Sequence, residues 1–386
     1  MKEARRKQGR GRLKAPFPWF GGKARVADLV WDRFGNVPNY VEPFAGSLAT
    51  LLKRPEDHRH GEDLYGIWPT ETVNDLDGFI SNFWRAVKDD PQAVIEHADS
   101  PVNENDLHAR HAWLVSRRQK LTRKLEGDPD FYSAKIAGWW VWGVSCWIGS
   151  GFCSGKGGWT VENGELVPRK QLPKKWRTKD QVSVGRQRPD VGDAGKGVHR
   201  KRLAVGDKGI GVHKQRPKLG KLKDVSTGFD LPPLLAWFEE LSDRLRRVRV
   251  CSGDWTRVLG YSPTTHMGLT GVFLDPPYEL KTRRDVYSVD EAGIAEDVRA
   301  WALEHGDDPK MRIALCGYEG EHEMPDSWET VAWRGGGYGN QAKNNTRGKK
   351  NTYKERIWFS PHCLRPQDQD SGQEPSGLKS PWKLSG

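Results

Sequence analysis

The chain has 386 residues, with 62 Lys and Arg against 51 Asp and Glu, for a formal net charge of +11. An apolar fraction of 36% alongside 43 glycines is enough for a packed core and excludes a wholly disordered chain. The longest mostly apolar run, Ala137 to Gly149, falls well short of the roughly 20 residues a membrane span requires, so no membrane partner is expected. No apolar stretch precedes Pro16, which gives no expectation of a secretory signal. Cys146, Cys153, Cys251, Cys316 and Cys363 are scattered without a C-x-x-C pair, the pattern of reduced thiols in a cytosolic compartment rather than of a disulfide framework or zinc module.

In chain order, residues 1–14 form a basic tail with seven Lys/Arg and one acid. A short apolar run ends at Tyr40-Val41-Glu42-Pro43 and leads through Phe44-Ala45-Gly46-Ser47 into a helix-like stretch, Leu48 to Lys53. Thr72-Val73-Asn74-Asp75 reads as a second strand end, followed by an amphipathic helix from Leu76 to Val87 that stops near Asp90-Pro91. Residues 104–125 and 131–147 read as helices with Trp on one face. A basic, Gly-rich segment follows, and then a helix from Leu234 to Arg246. Strands are expected at Val248–Cys251, Gly271–Leu274, Arg312–Cys316 and Arg356–Phe359, with a helix at Ile294–Glu304 and a polar, disordered tail over 362–386. Strands alternating with helices imply a largely parallel sheet covered on both faces. Polar motifs recur just after strand ends, the edge where open α/β sheets bind ligands.

Asp275-Pro276-Pro277-Tyr278, after an apolar strand, carries the clearest chemistry. The lone pair of a nucleobase exocyclic amine is delocalised into the ring. To act as a nucleophile the nitrogen must be drawn toward tetrahedral geometry by two acceptors for its two hydrogens. The carboxylate of Asp275 and the carbonyl of Pro276 would supply them. Pro276 and Pro277 fix the loop because proline locks φ, and Tyr278 offers a face on which the base can stack. A base in a duplex reaches such a pocket only when flipped out, at a cost of a few kcal/mol.

Four further motifs accompany it: Pro18-Trp19-Phe20-Gly21-Gly22-Lys23, Val41-Glu42-Pro43-Phe44-Ala45-Gly46-Ser47, Asn74-Asp75 and Gly253-Asp254-Trp255. In this order the set resembles the Dam-type N6-adenine DNA methyltransferases. Gly336–Asn340 and Glu355–Pro361 are similar to the C-terminal part of phage and prophage members. The resemblance spans roughly 15–90 and 231–361. It implies a Rossmann-like α/β methyltransferase sheet and S-adenosylmethionine as methyl donor. It also implies a bacterial, cytoplasmic or phage-encoded enzyme acting on double-stranded DNA, without a metal and, by family analogy, as a monomer. Catalysis falls to Asp275, Pro276, Pro277 and Tyr278. Cofactor contact falls to Trp19, Gly22, Lys23, Glu42, Phe44, Gly46, Asp75, Asp254, Trp255 and Asp275. Asp75 would accept from the ribose or a nearby polar group, and Asp254 from the cofactor's adenine. The family's glycine loop runs Phe-x-Gly-x-Gly, and this chain has Leu48 at the last position. That departure keeps open a catalytically decayed, DNA-binding homologue. Cytosine-N4 methylation uses the same chemistry, although Asp rather than Ser at position 275 favours adenine.

Within this frame residues 91–168 form an inserted helical, Trp-rich target-recognition region and 169–230 a basic arm. Trp139, Trp140, Trp142, Trp147 and Trp159 are expected to pack the helical core. Ile148–Phe152 stands where the family carries an aromatic-Asn-Gly loop. In the arm, VGDAGKGVHRKR (Val191–Arg202) and VGDKGIGVHKQR (Val205–Arg216) agree at eight of twelve positions, offset by 14 residues. Too polar to bury a core, the arm is expected to be flexible. Arg186, Arg188, Arg200, Lys201, Arg202, Lys214 and Arg216 would meet the phosphate backbone, adding affinity rather than sequence choice; a passive linker is the alternative.

Overall fold

A computed structural model describes residues 13–17, 19, 22–58, 69–147, 152–153, 159–162, 165–168, 233–278, 293–333 and 354–366. The basic repeats with their seven Lys/Arg, most of the N-terminal tail, Ile148–Gly151 and Gly336–Asn340 lie outside the described residues.

The centre is a seven-stranded sheet. Strand β1 (Asn39–Glu42) lies between β2 (Thr70–Asp75) and β6 (Thr270–Leu274), parallel to both. Strand β5 (Val248–Ser252) extends the sheet beyond β2, and β7 (Met311–Tyr318) beyond β6, again in parallel. Strand β9 (Glu355–Phe359) runs antiparallel to β7 and carries β8 (Glu329–Ala332) at its outer edge. The chain order therefore reverses direction at the β1/β6 junction. At such a junction loops diverge to opposite faces and open a crevice at the strand C-termini.

Alternate residues of the central strands face opposite layers. Tyr40, Val73, Phe273 and Ala314 point into one core; Val41, Val272, Leu274 and Ile313 point into the other. The first is covered by α1 (Ala27–Phe34), α2 (Gly78–Asp89) and α6 (Pro233–Leu245), the second by α7 (Ile294–His305). Helices α3 (Pro91–Ala98), α4 (Glu104–Gly127) and α5 (Ala134–Cys146) join the first core, so the Trp-rich region shares its hydrophobic interior with the sheet. Trp140 and Trp142 are buried, and Trp139 and Trp147 half-buried. Gly138 lets α5 approach α3: a Cβ there would lie 2.5 Å from the Val94 carbonyl oxygen. A separate two-stranded sheet pairs β3 (Trp159–Glu162) with β4 (Glu165–Pro168).

Several elements differ from the sequence reading. The helix expected at Leu48–Lys53 is a turn followed by a single 3-10 turn, Leu51–Lys53. The amphipathic helix does stop near Asp90-Pro91 as expected, ending at Asp89, but Pro91 then opens α3, where its missing N–H is harmless and the Asp90 side chain caps Ala93. Residues 362–366, assigned to the tail by sequence, pack onto the fold: the Leu364 N–H donates to Arg33 O, and Arg365 pairs with Glu329.

Candidate active site

The turn after β1 is built on the strand ends beside it. The Asn74 side chain donates to Pro43 O at 3.2 Å and Gly253 O at 2.9 Å, tying together the loops after β1 and β5. Asp75 accepts from the Gly46 N–H through Oδ2 and from the Asp77 N–H through Oδ1, each at 2.9 Å. Gly46 has φ +46, and a Cβ there would lie 2.5 Å from the Trp19 indole nitrogen. A side chain at 46 would therefore displace Trp19, which caps this turn. Gly22 passes beside Ser47.

Leu48 also adopts a left-handed conformation, with φ +52, while its side chain is fully buried. The turn at the glycine loop's last position thus has the backbone geometry that favours glycine. Leu is held there by core packing against a conformational cost of about 1–2 kcal/mol.

Lys23, on the 3-10 turn Lys23–Arg25, reaches Asp275 just beyond β6, with Nζ 2.8 Å from Oδ1. The Lys23 side chain is 3% exposed and that of Asp275 21%, so the pair is enclosed but one side of the carboxylate remains reachable. The ammonium lies 5.1 Å from the Tyr278 ring centre and 5.6 Å from that of Trp333. Burial alone would push Lys23 down; the carboxylates of Asp275 and Glu355 reverse this and hold it above its ordinary value. Burial pushes Asp275 up, opposed chiefly by Lys23.

Tyr278 is 8% exposed, its hydroxyl donates to Glu355 Oε2 at 2.9 Å, and its ring meets Tyr318 edge-on at 4.6 Å. The sequence reading expected a face open for stacking; here one end of the ring is anchored and its neighbours are Lys23 and Tyr318. Glu355, Tyr318 and Trp333 were not anticipated as site residues. Glu355 stood in a stretch noted for its resemblance, but nothing in the sequence links it to Tyr278, 77 positions away.

Glu42, at the end of β1, is buried, accepts from the Tyr40 hydroxyl at 2.9 Å, and is pushed by burial up to about 8, with Asp275 and Asp75 adding to the rise. Asp75 is pushed up to about 7, again mainly by burial. Beyond β5, Asp254 caps the short helix Trp255–Val258, with Oδ1 accepting from the Thr256 N–H at 2.9 Å. Trp255 stacks on Phe44 with ring centres 6.1 Å apart. Pro276 is buried and Pro277 half-buried.

Lys23, Glu42 and Asp275 thus lie together at the crevice between β1 and β6, with Gly46 and Asp75 beside them after β1 and β2 and Asp254 and Trp255 farther along the same edge, after β5. Among the described residues there is no cluster of His, Cys, Asp and Glu suited to a metal ion, and no helix long and apolar enough to cross a membrane.

A buried carboxylate edge at the switch point of a mostly parallel sheet is the anatomy of an α/β ligand-binding enzyme. Residues 19–132 match the family model for the D12 class N6 adenine-specific DNA methyltransferase. The match bears out the family resemblance carried by the motifs and, with it, the enzyme class, an adenine-specific DNA methyltransferase. It takes in Trp19, Lys23, Glu42, Gly46 and Asp75 and ends within the segment after α4; Asp275 and Tyr278 lie beyond it. Comparison with curated proteins finds no match.

Proposed function

We propose that the protein transfers a methyl group from S-adenosylmethionine to N6 of an adenine flipped out of double-stranded DNA. The observation that carries this reading is the Lys23–Asp275 pair, which ties the N-terminal motif to the Asp-Pro-Pro-Tyr loop at the switch point.

The residues fit the cofactor. Glu42, Asp75 and Asp275 bring three carboxylates to adjoining strand ends against the single ammonium of Lys23, and two of them are raised to about 8 and about 7. Near neutral pH these two carry protons much of the time, and a ligand with a sulfonium and an ammonium would draw them toward the ionised form. Phe44 and Trp255 supply flat apolar surface for an adenine, while Asp75 and Asp254 keep lone pairs for its polar groups. When bound, S-adenosylmethionine supplies an electrophilic methyl group.

The residues of the chain then act on the target base. The Asp275 carboxylate accepts one N6 hydrogen and the Pro276 carbonyl the other, which localises the lone pair on nitrogen. N6 would form its new N–C bond as the methyl–sulfur bond breaks, the sulfur keeping that electron pair as a neutral thioether, and N6 would lose a proton through Asp275 or to water. Lys23 keeps Asp275 in its acceptor form, and Glu355 anchors Tyr278 beside that pair, so the ring would have to turn from Lys23 to stack on the base. Positioning and electrostatics of this kind are worth several powers of ten in rate. The repeat arm, with Arg186, Arg188, Arg200, Lys201, Arg202, Lys214 and Arg216, tracks phosphates; deleting 184–217 weakens DNA binding and flattens its salt dependence.

The test is mass spectrometry of nucleosides from unmethylated DNA incubated with the protein and S-adenosylmethionine, with Asp275→Ala alongside. N6-methyladenine that disappears in the variant supports the reading. N4-methylcytosine would overturn the base assignment, and a protein that neither binds the cofactor nor methylates DNA would overturn the function.

A further inference from the structure

We infer that the outer seam between α4 and α5, lined by Arg110, Trp113, Arg117, Lys135 and Trp139, binds the sugar–phosphate backbone of duplex DNA away from the target base. The inference rests on the DNA-methylating reading and adds a second contact surface to it. Arg110, Trp113 and Arg117 recur at helical spacing along one stripe of α4, and Lys135 and Trp139 do the same on α5. The two indoles meet edge-on at 5.0 Å. Around them lie three cations. Lys135 Nζ is 4.5 Å from the Trp139 ring centre and 5.1 Å from that of Trp113. The Arg117 guanidinium is 5.3 Å from Trp113, and that of Arg110 lies 5.1 Å from Trp139 and 4.3 Å from Trp142.

Several arginines that lie closer to the core are paired: Arg33 with Glu329, Arg54 and Arg244 with Glu71, Arg118 with Asp77 and Cys153 O. On this seam, no ion pair with a carboxylate forms at Arg110, Arg117 or Lys135 among the described residues. Asp106 is the one acid whose charge acts on Arg110, and Arg110 Nη1 is enclosed without a hydrogen-bond partner. Arg117 and Lys135 are exposed, and both indoles and Arg110 are half-buried. Three like charges held close together by indole faces repel one another, and a chain of phosphates relieves that repulsion. The guanidinium forks bond phosphate oxygens directly, and the indole faces give the deoxyribose a surface to pack on. Such contacts are indifferent to base sequence, so the surface adds affinity and register rather than target choice.

The experiment measures duplex binding by the full-length protein, using fluorescence anisotropy between 50 and 200 mM salt, for wild type, R117Q/K135Q and R117E/K135E. S-adenosylmethionine affinity is measured in parallel. In the neutral pair, losing two phosphate contacts should lower the slope of log Kd against log salt by about 2. Kd should rise at least tenfold at low salt, more in the charge-reversed pair, with cofactor affinity within twofold of wild type. Variants that bind duplex DNA as wild type does, in affinity and slope, would overturn the inference and leave the functional reading standing. Wild-type protein that binds no duplex DNA would overturn that reading as well. Loss confined to an RNA or an acidic polypeptide would overturn the assigned occupant.

Discussion

The Lys23 ammonium and the Asp275 carboxylate meet at 2.8 Å although 252 positions separate them, and this contact closes the crevice between the N-terminal turn and the end of β6. It also sets the charge state of the acceptor. Burial raises Asp275, and Lys23 is the main force opposing that rise. In Lys23→Met the carboxyl should rise further and lose acceptor capacity at the lower pH values. Methylation by this variant should fall about a hundredfold at its worst and recover as the pH is raised. Lys23→Arg should retain most activity. Single-turnover rates against pH check this; a loss of equal size at every pH would assign Lys23 to cofactor contact alone.

The same pair carries stability. Removing one partner of an enclosed ion pair leaves an uncompensated charge, at a cost of about 3–5 kcal/mol. Asp275→Leu should therefore lower the melting temperature sharply, and adding Lys23→Met should restore part of the loss, because the double variant buries no lone charge. Thermal denaturation of the two single variants and the double variant without ligand measures the coupling. Simple additivity would mean that water or a neighbouring carboxylate already satisfies the survivor.

Much of this site was legible in the sequence because its elements lie at strand ends, where apolar runs stop and polar motifs begin. Glu42, Asp75, Asp254 and Asp275 could be placed on one edge from their positions alone, since parallel strands bring their C-termini together. What could not be read was partnership across the chain. Local pattern does not encode which carboxylate Lys23 meets, or that Tyr278 ends on Glu355 from an antiparallel strand. Helix α1 was missed for want of a clear start signal: its N-cap is Val26, with no side-chain capping bond. The Trp-rich helices read correctly as helices, but their sharing one core with the sheet depends on close approaches such as Gly138 against Val94, which only the packed structure reveals.

Leu48 offers a test of backbone geometry. Its φ of +52 penalises any residue with a Cβ, while its buried side chain stabilises the core. Leu48→Ala should lose about 2–5 kcal/mol through the cavity it leaves. Leu48→Gly makes a larger cavity but removes the left-handed penalty, so it should match Leu48→Ala or exceed it in stability by up to about 1 kcal/mol, the reverse of the usual order. Urea denaturation distinguishes these outcomes. A glycine variant clearly less stable than the alanine one would show that the turn relaxes out of the left-handed region.

Glu71 tests the tie between sheet and helix. Arg244 grips both its oxygens, at 2.7 and 2.8 Å, and Arg54 adds a third contact at 3.3 Å. The two guanidinium groups outweigh burial and hold Glu71 below the ordinary carboxylate range. Glu71→Ala should leave two enclosed cations facing each other and cost about 3–5 kcal/mol or prevent folding. Because the folded pKa is depressed, the pair's contribution is complete above the unfolded value of about 4.3 and is lost as the pH falls through the folded value. Wild-type stability should therefore decline below about pH 4 more steeply than that of Glu71→Gln, as followed by circular dichroism.

Glu42 and Asp75 have the opposite sign. Their folded values, about 8 and about 7, lie above those of the unfolded chain, so the folded state holds more protons between them. Stability from this source is complete below about pH 4, declines as pH rises through 7 and 8, and then levels off. The ligand-free protein should melt at a lower temperature at pH 8.5 than at pH 6, and Glu42→Gln should flatten that decline. A cationic cofactor favours the ionised carboxylates, so S-adenosylmethionine should bind more tightly across the same interval, and its stabilising effect should grow with pH. Calorimetric titration at pH 6, 7 and 8.5 measures this directly. Affinity that does not change over the interval would mean that Glu42 and Asp75 shape the turn without sensing the ligand's charge.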